Sequence, residues 1–309
     1  MAIIETQDLT KAFGKTIAVE DVNLSVEAGE VLGLLGPNGA GKTTTMRMLA
    51  GMIAPTRGHA VVAGLRPDRA PESLHESIGL LTETPGGYAR LSARQNLEFF
   101  AGFYPGLDVR AQCEKYLRLM GLWERRDDMA GTFSRGMKQR LALARCLLHE
   151  PKILLLDEPT AGLDPEASME MRSLIRRLGE EGRTILLSTH NLAEAEELCR
   201  RVAVIRGRLL AVDTPERLRQ RFFRRQVVVR LAASDARVTD AVKRLPFVQG
   251  VGEEGTSLVV DLADSDRFRP DLVEAIVRAG GRVLAVTEEQ HALEEAYLRL
   301  VHEESGNDA

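Results

Sequence analysis

Gly36-Pro37-Asn38-Gly39-Ala40-Gly41-Lys42-Thr43 is the stretch on which the reading of this chain turns. The apolar run before it, Val31-Leu32-Gly33-Leu34-Leu35, reads as a buried strand, and Thr44 to Ala50 after it reads as a helix. Strand, glycine-rich turn, Lys-Thr and helix together match the phosphate-binding pattern G-x-x-x-x-G-K-[ST]. A polyphosphate needs many donors close together. Backbone N–H groups crowd around it only where side chains are absent, hence the glycines. The start of the following helix adds unpaired N–H groups and the positive end of its dipole. Gly36, Pro37, Asn38, Gly39, Ala40, Gly41, Lys42, Thr43 and Thr44 form the candidate cradle. Lys42 is expected to reach the β- and γ-phosphates, and the Thr43 hydroxyl to hold Mg2+. The loop by itself says nucleotide phosphate, without saying which nucleotide or what the energy is used for.

The bulk numbers set outer limits. A chain of 309 residues is long for one ordinary domain and implies about two. Hydrophobic content of 44% and charged content of 28% place it among globular proteins. A net charge of −4 gives no argument for nucleic-acid binding. Cys113, Cys146 and Cys199 are widely spaced, without a C-x-x-C, and read as thiols of a reducing compartment. The opening Met1-Ala2-Ile3-Ile4-Glu5-Thr6 lacks the pattern of a secretory signal. No window approaches the ~20 apolar residues that a membrane helix requires. The expectation is a soluble cytoplasmic protein, with any membrane work done by a partner.

Outward from the loop, residues 2–35 alternate apolar and polar in places and read as strands turning at Glu27-Ala28-Gly29-Glu30. Phe13 lies in this region, and an isolated aromatic there reads first as core. His59 to Ala63 and Ile78 to Leu81 read as further strands, with a short helix over 71–77 between them. Thr82 to Tyr88 has loop composition. Residues 92–149 look helical throughout. Ser92 and Asp108 are candidate N-caps, and Leu141, Leu143, Ala144, Leu147 and Leu148 form a stripe from about Gly136 to His149. Helices without strands at this point predict an inserted helical subdomain.

Ile153-Leu154-Leu155-Leu156-Asp157-Glu158 reads as a central parallel strand ending in two carboxylates. Ligands bind outside the carboxyl ends of strands in open α/β sheets. Asp157 is therefore expected to hold Mg2+ through water, and Glu158 to orient and deprotonate an attacking water. Strand-end acids are often merely solvated, and it is the upstream loop that favours the functional reading. Pro165 to Glu181 is helical, Thr184 to Thr189 is another strand, and His190 follows it in the same row. Contact with a γ-phosphate is the role read for His190. A helix over Asn191 to Cys199 and a hairpin turning at Gly207 complete this part.

With those residues placed, the sequence resembles the ATP-binding-cassette (ABC) ATPases over residues 2 to about 219. The decisive motif is Phe133-Ser134-Arg135-Gly136-Met137-Lys138-Gln139-Arg140, similar to the family signature written L-S-G-G-Q. A Ser and a Gly at a helix start make another ready anion site. The resemblance implies that Ser134, Arg135, Gly136 and Met137 face the γ-phosphate held by a second subunit. It assigns Phe13 to stacking on adenine, displacing the core reading. It places Glu83 where the family has the metal-sensing Gln, Asp164 in the D-loop that bridges two subunits, and His190 as the switch histidine. Two departures stand out. Glu83 replaces Gln, and Arg135 and Met137 replace Gly and Gln in the signature.

The resemblance implies an α/β P-loop NTPase core with a mixed sheet, N-terminal antiparallel strands and the helical subdomain at about 92–149. It implies an ATP hydrolase using ATP and Mg2+ that powers a multispanning membrane permease, an exporter of a drug, antibiotic, ion or lipid-like cargo. The chain would work as a homodimer, or a heterodimer with a similar ATPase. It would sit in the cytoplasm, peripheral on the inner face of the cell membrane, and bind no nucleic acid. The alternative is a soluble ABC-type regulatory ATPase that is not coupled to transport.

Residues 220–303 lack these motifs. Strands at 226–231, 258–262 and 283–286 and helices at 236–245, 268–279 and 291–301 predict a small accessory α+β domain. It resembles the C-terminal domain of prokaryotic multidrug and antibiotic export ATPases. Arg221-Phe222-Phe223-Arg224-Arg225 reads as the linker, and residues 304–309 as a disordered tail.

Overall fold

The computed structural model describes residues 2–222, 226–289 and 293–307. The chain divides into two compact units, Met1–Pro215 and Glu216–Ala309. The expected linker is described only as far as Phe222, at the end of a helix spanning Pro215–Phe222; residues 223–225 lie outside the described residues.

The first unit begins with an antiparallel sheet. β1 (Ala2–Phe13) lies between β2 (Thr16–Val22) and β3 (Ser25–Glu27), and also pairs with β5 (Arg57–Val62). The second sheet carries the chemistry. It contains β4 (Val31–Leu35), β6 (Ile78–Leu81), β7 (Ile153–Asp157), β8 (Thr184–Thr189), β9 (Arg201–Arg206) and β10 (Arg208–Asp213), in the order β10-β9-β4-β8-β7-β6. Every neighbouring pair is parallel except β9 with β10, a hairpin turning at Gly207 with φ 72°. β7 and β8 are buried at every residue. That is why they read as unbroken apolar runs and not as alternating ones. A core of Leu32, Leu34, Met46, Leu49, Ile153, Leu155, Leu186 and Ile205 joins this sheet to helix α1 (Lys42–Leu49), and Ile4, Leu9 and Val26 of the first sheet belong to it too.

Between β6 and β7 there is no strand. α3 (Ala93–Ala101) is closed by a capping box of Ser92 and Gln95, and α4 (Val109–Leu119) is capped by Asp108. α5 (Arg135–Leu147) is capped by Ser134. A short α2 (Pro71–His75) precedes β6. After β7 come α6 (Pro165–Glu180), capped by Asp164, and α7 (Leu192–Leu198), capped by Asn191. α8 is the helix Pro215–Phe222.

The second unit has its own sheet and core. β11 (Gln226–Leu231), α9 (Ala236–Lys243), β12 (Val248–Glu254), β13 (Ser257–Leu262), α10 (Ser265–Arg278), β14 (Val283–Glu289) and α11 (Leu293–Asn307) follow one another. The sheet is antiparallel, in the order β12-β13-β11-β14. Val227, Val229, Val260, Val238, Leu272 and Ile276 centre its core.

Three expectations change. Phe13 is 53% exposed at the end of β1, so its first reading as core is wrong. The strand ends there, and no layer covers its last side chain. β12 was not foreseen, because Gly250, Gly252, Glu253 and Glu254 hide its pattern; it is an edge strand held by backbone pairing to β13. The tail expected to be disordered from residue 304 is helical to Asn307, and residues 308–309 lie outside the described residues. Extending a helix already anchored by Leu293, Ala296 and Leu300 needs no new nucleation.

Candidate functional site

Three parallel strands deliver their carboxyl ends to one edge. Leu35 of β4 is in register with Thr189 of β8, and Asp157 of β7 with Ser188 of β8. The phosphate loop, the Asp157-Glu158 pair and His190 therefore leave the sheet side by side. They surround a cleft of about 460 Å³, lined by residues 37–44 with Ala18, Glu83, Glu158, Ala161 and His190.

The loop depends on backbone shape. Gly41 caps α1 with φ 97°, and a Cβ there would sit 2.7 Å from Ala18 O. At Gly36 a Cβ would stand 2.4 Å from Ile205 O. Any other residue would force the loop away from β2 or β9, and the N–H groups would lose their common focus. Lys42 is 5% exposed. Its ammonium donates to Gly36 O at 2.6 Å and Pro37 O at 3.1 Å, and lies 3.1 Å from Glu158 Oε1.

Glu158 has φ 50°, a left-handed conformation for a residue with a side chain. Such strain costs of order 1–3 kcal/mol and persists only where the surroundings hold it. Here Ser188 holds it. Glu158 N donates to Ser188 O and to Ser188 Oγ, both at 3.1 Å, while Ser188 Oγ donates to Asp157 Oδ1. One serine thus places both carboxylates. Glu158 Oε2 accepts from His190 Nδ1 at 2.9 Å. Glu158 Oε1 is buried beside the phosphate loop, and the group it faces is the Lys42 ammonium at 3.1 Å. Asp157 is buried behind it and does not line the cleft.

The remaining expected site residues divide. Glu83 lines the cleft on the loop after β6. Phe13 does not line it, although it is exposed and has Lys11 Nζ 5.2 Å from its ring centroid. Ser134, Arg135, Gly136 and Met137 stand at the start of α5, outside the cleft. Ser134 Oγ accepts from Met137 N at 3.2 Å, and a Cβ on Gly136 would stand 2.8 Å from the Ala167 Cβ of α6. Asp164 accepts from Ala167 N at 2.8 Å as the cap of α6. Gly36 and Asp157 support the site from beneath it. Sequence reasoning missed Ser188 and Ala18. Ser188 carried a faint signal, as the first polar side chain after the apolar run of β8.

This constellation of phosphate loop, strand-end carboxylates and strand-end histidine on a parallel sheet defines a P-loop NTPase. The family model described as ABC transporter matches residues 19–161. The bacitracin transport ATP-binding protein BcrA of Bacillus licheniformis is 43% identical over 221 residues, covering 71% of this chain and 72% of that protein. The Nod factor export ATP-binding protein I of a Rhizobium species is 36% identical over 305 residues, covering 97% of each. A dimeric ATP-binding cassette solved in a post-hydrolysis state with ADP and Pi superposes with a TM-score of 0.63 at 25% identity, covering 68% of this chain and 98% of that one. The chain belongs to the ATP-binding proteins of the ABC transporter family. It is an ABC-type ATPase, and ATP is its nucleotide. No helix among the described residues is long and apolar enough to cross a membrane.

Proposed function

We propose that this chain is the ATP-hydrolysing motor of a membrane exporter and works as a pair of cassettes. The observation that carries this reading is the convergence of Lys42, Glu158 and His190 on one cleft beside the phosphate loop. Lys42 and the N–H groups of residues 36–44 bind the β- and γ-phosphates. Glu158 orients the attacking water and takes its proton, using the oxygen that faces Lys42 and the phosphate loop. His190, bonded to the other oxygen of Glu158, aligns that carboxylate and reaches the γ-phosphate.

The oxygen donors Thr43, Glu83 and Asp157 suit Mg2+, a hard cation that keeps several waters. The buried Asp157, already bonded to Ser188, would act on it through water. Bound there, Mg2+ offsets phosphate charge. Phe13, exposed at the end of β1, offers its ring face to adenine.

The signature residues Ser134, Arg135, Gly136 and Met137 do not line their own chain's cleft. The start of α5 is therefore available to the nucleotide on a second copy, with Asp164 in the bridging D-loop. A homodimer is the simplest arrangement, since one chain carries one full motif set. A permease partner accounts for the aromatic surface of Tyr88, Phe99 and Phe103. It also accounts for the adjoining cleft of about 1080 Å³, lined by Met52, Phe100, Tyr104 and Leu107 among others. The relative named for Nod factor export supports export as the direction. The subunit would then lie on the inner face of the cell membrane, held there by its permease. The accessory unit is assigned to residues 220–303, following the motor.

The test is the assembly state of a Glu158→Gln variant with ATP, measured by light scattering. A nucleotide-dependent dimer is expected. A variant that stays monomeric with ATP, in solution and beside its permease, would refute the paired arrangement. Copurification of a multispanning membrane protein with the tagged chain tests the transport reading.

A further inference from the structure

Glu194 of α7 is 1% exposed and forms no ion pair among the described residues. A buried carboxylate is costly unless its oxygens are bonded. Here two threonine hydroxyls bond them. Thr160 Oγ1 donates to Glu194 Oε1 at 2.8 Å, and Thr189 Oγ1 donates to Glu194 Oε2 at 2.6 Å. Thr189 Oγ1 also accepts from Asn191 N at 2.9 Å, so its single proton is committed to Glu194. The position of these threonines is what matters. Thr160 lies two residues after Glu158, in the turn closed by Ala161 N donating to Glu158 O at 3.1 Å. Thr189 immediately precedes His190. Beyond the bonds from Glu158 N to Ser188, the segments leaving β7 and β8 are thus joined by the Glu158–His190 bond and by the buried bridge through Glu194.

We propose that Glu194 is a positioning residue for ATP hydrolysis: it cross-links the Glu158 loop to the His190 loop and keeps the two groups in register. This rests on the roles given above to Glu158 and His190. Glu194 does not line the cleft and acts only through those two residues. A short aliphatic side chain would avoid the cost of the buried charge but would leave both hydroxyls unpaired and the loops free to part.

The experiment uses the full chain and compares kcat, KM for ATP and equilibrium binding of a fluorescent ATP analogue. Misplacement of reacting groups by a fraction of an ångström to one ångström costs up to about a hundredfold, so Glu194→Ala is expected to lower kcat about tenfold or more. KM and analogue binding should stay within about twofold, because the phosphate loop is untouched. Glu194→Gln keeps one acceptor and should recover most of the lost rate.

A double-mutant cycle separates positioning from general damage. Once His190→Ala has removed one partner, adding Glu194→Ala should cost less than about a further twofold. Losses that multiply, a kcat equal to wild type, or a loss confined to KM each overturn the proposal. A His190→Ala variant that turns over normally instead overturns the His190 assignment, a distinct result. Should Glu194→Ala not fold, Thr160→Val removes one strut at equal volume. It should lower kcat with KM unmoved, and an unchanged kcat refutes the bridge.

Discussion

Lys42 Nζ stands 3.1 Å from Glu158 Oε1, and both side chains are almost wholly buried. The same ammonium donates to Gly36 O and Pro37 O, so its place does not depend on Glu158 alone. Glu158→Gln should therefore keep the phosphate loop shaped and nucleotide bound. General-base catalysis supplies about 10²–10⁴-fold in rate, so phosphate release by this variant should fall at least a hundredfold. ATP-analogue affinity, measured by fluorescence, should change by less than about threefold.

A second buried acid holds the other end of the sheet. Glu30 is 5% exposed, and Arg201 grips both its oxygens at 2.6 and 2.8 Å. Burial pushes the Glu30 carboxyl up, but the bonds from Arg201 and Glu27 N and the charge of Arg201 outweigh it and hold it below the usual range. The stability this contributes is present above the ordinary carboxylate pKa and is lost as pH falls through the lowered one. Removing one partner of a buried pair costs about 3–5 kcal/mol. Arg201→Ala should lose an amount near the lower end in urea melts at pH 7, since the arginine is partly exposed.

Glu194 shifts the other way. Burial raises its carboxyl, and the Thr189 and Thr160 hydroxyls only partly offset that. The unfolded chain then releases the proton first, so this group costs stability as pH rises through the ordinary carboxylate range to the raised value. Glu194→Gln has no such loss. Its Tm relative to wild type should climb as pH rises through and above the ordinary carboxylate range. A difference flat in pH, by scanning calorimetry, would refute the shift.

The three thiols should be inert in the folded protein. Burial pushes Cys113 up to about 11 and Cys146 and Cys199 up to about 12. Only the thiolate attacks a disulfide reagent. At pH 8, DTNB should titrate less than about a tenth of the thiols in the native chain within minutes. In guanidinium, all of Cys113, Cys146 and Cys199 should react.

The two units have separate cores, one around Leu32, Leu155 and Leu186 and one around Val229, Val260 and Ile276. A chain ending near Pro215, where the division falls, should fold cooperatively. It should bind an ATP analogue within about twofold of the full chain by fluorescence, since every cleft residue precedes that point. Loss of binding would mean that the accessory unit belongs to the motor.

Legibility followed the range of the interaction. The loop Gly36 to Thr43, the run ending at Asp157-Glu158 and the strand before His190 could be read directly. Each is a local pattern, a strand period joined to a turn or a charge. The caps at Ser92 and Asp108 were visible for the same reason. β12 was not visible, since an edge strand with two glycines is stabilised by its neighbour and not by its own residues. Phe13 was ambiguous because burial is a property of layers, not of a residue.

Residue types and their spacing specified the chemistry on offer: a phosphate cradle, two acids, a histidine and a second helix start at Ser134. Tertiary structure decided their arrangement. Parallel pairing of β4, β8 and β7 set three chain segments side by side, Ser188 fixed both carboxylates, and Glu194 tied two loops together. Those contacts join residues as far apart in sequence as Leu35 and Thr189. No local pattern encodes them, because the free energy that forms them comes from burying the sheet as a whole.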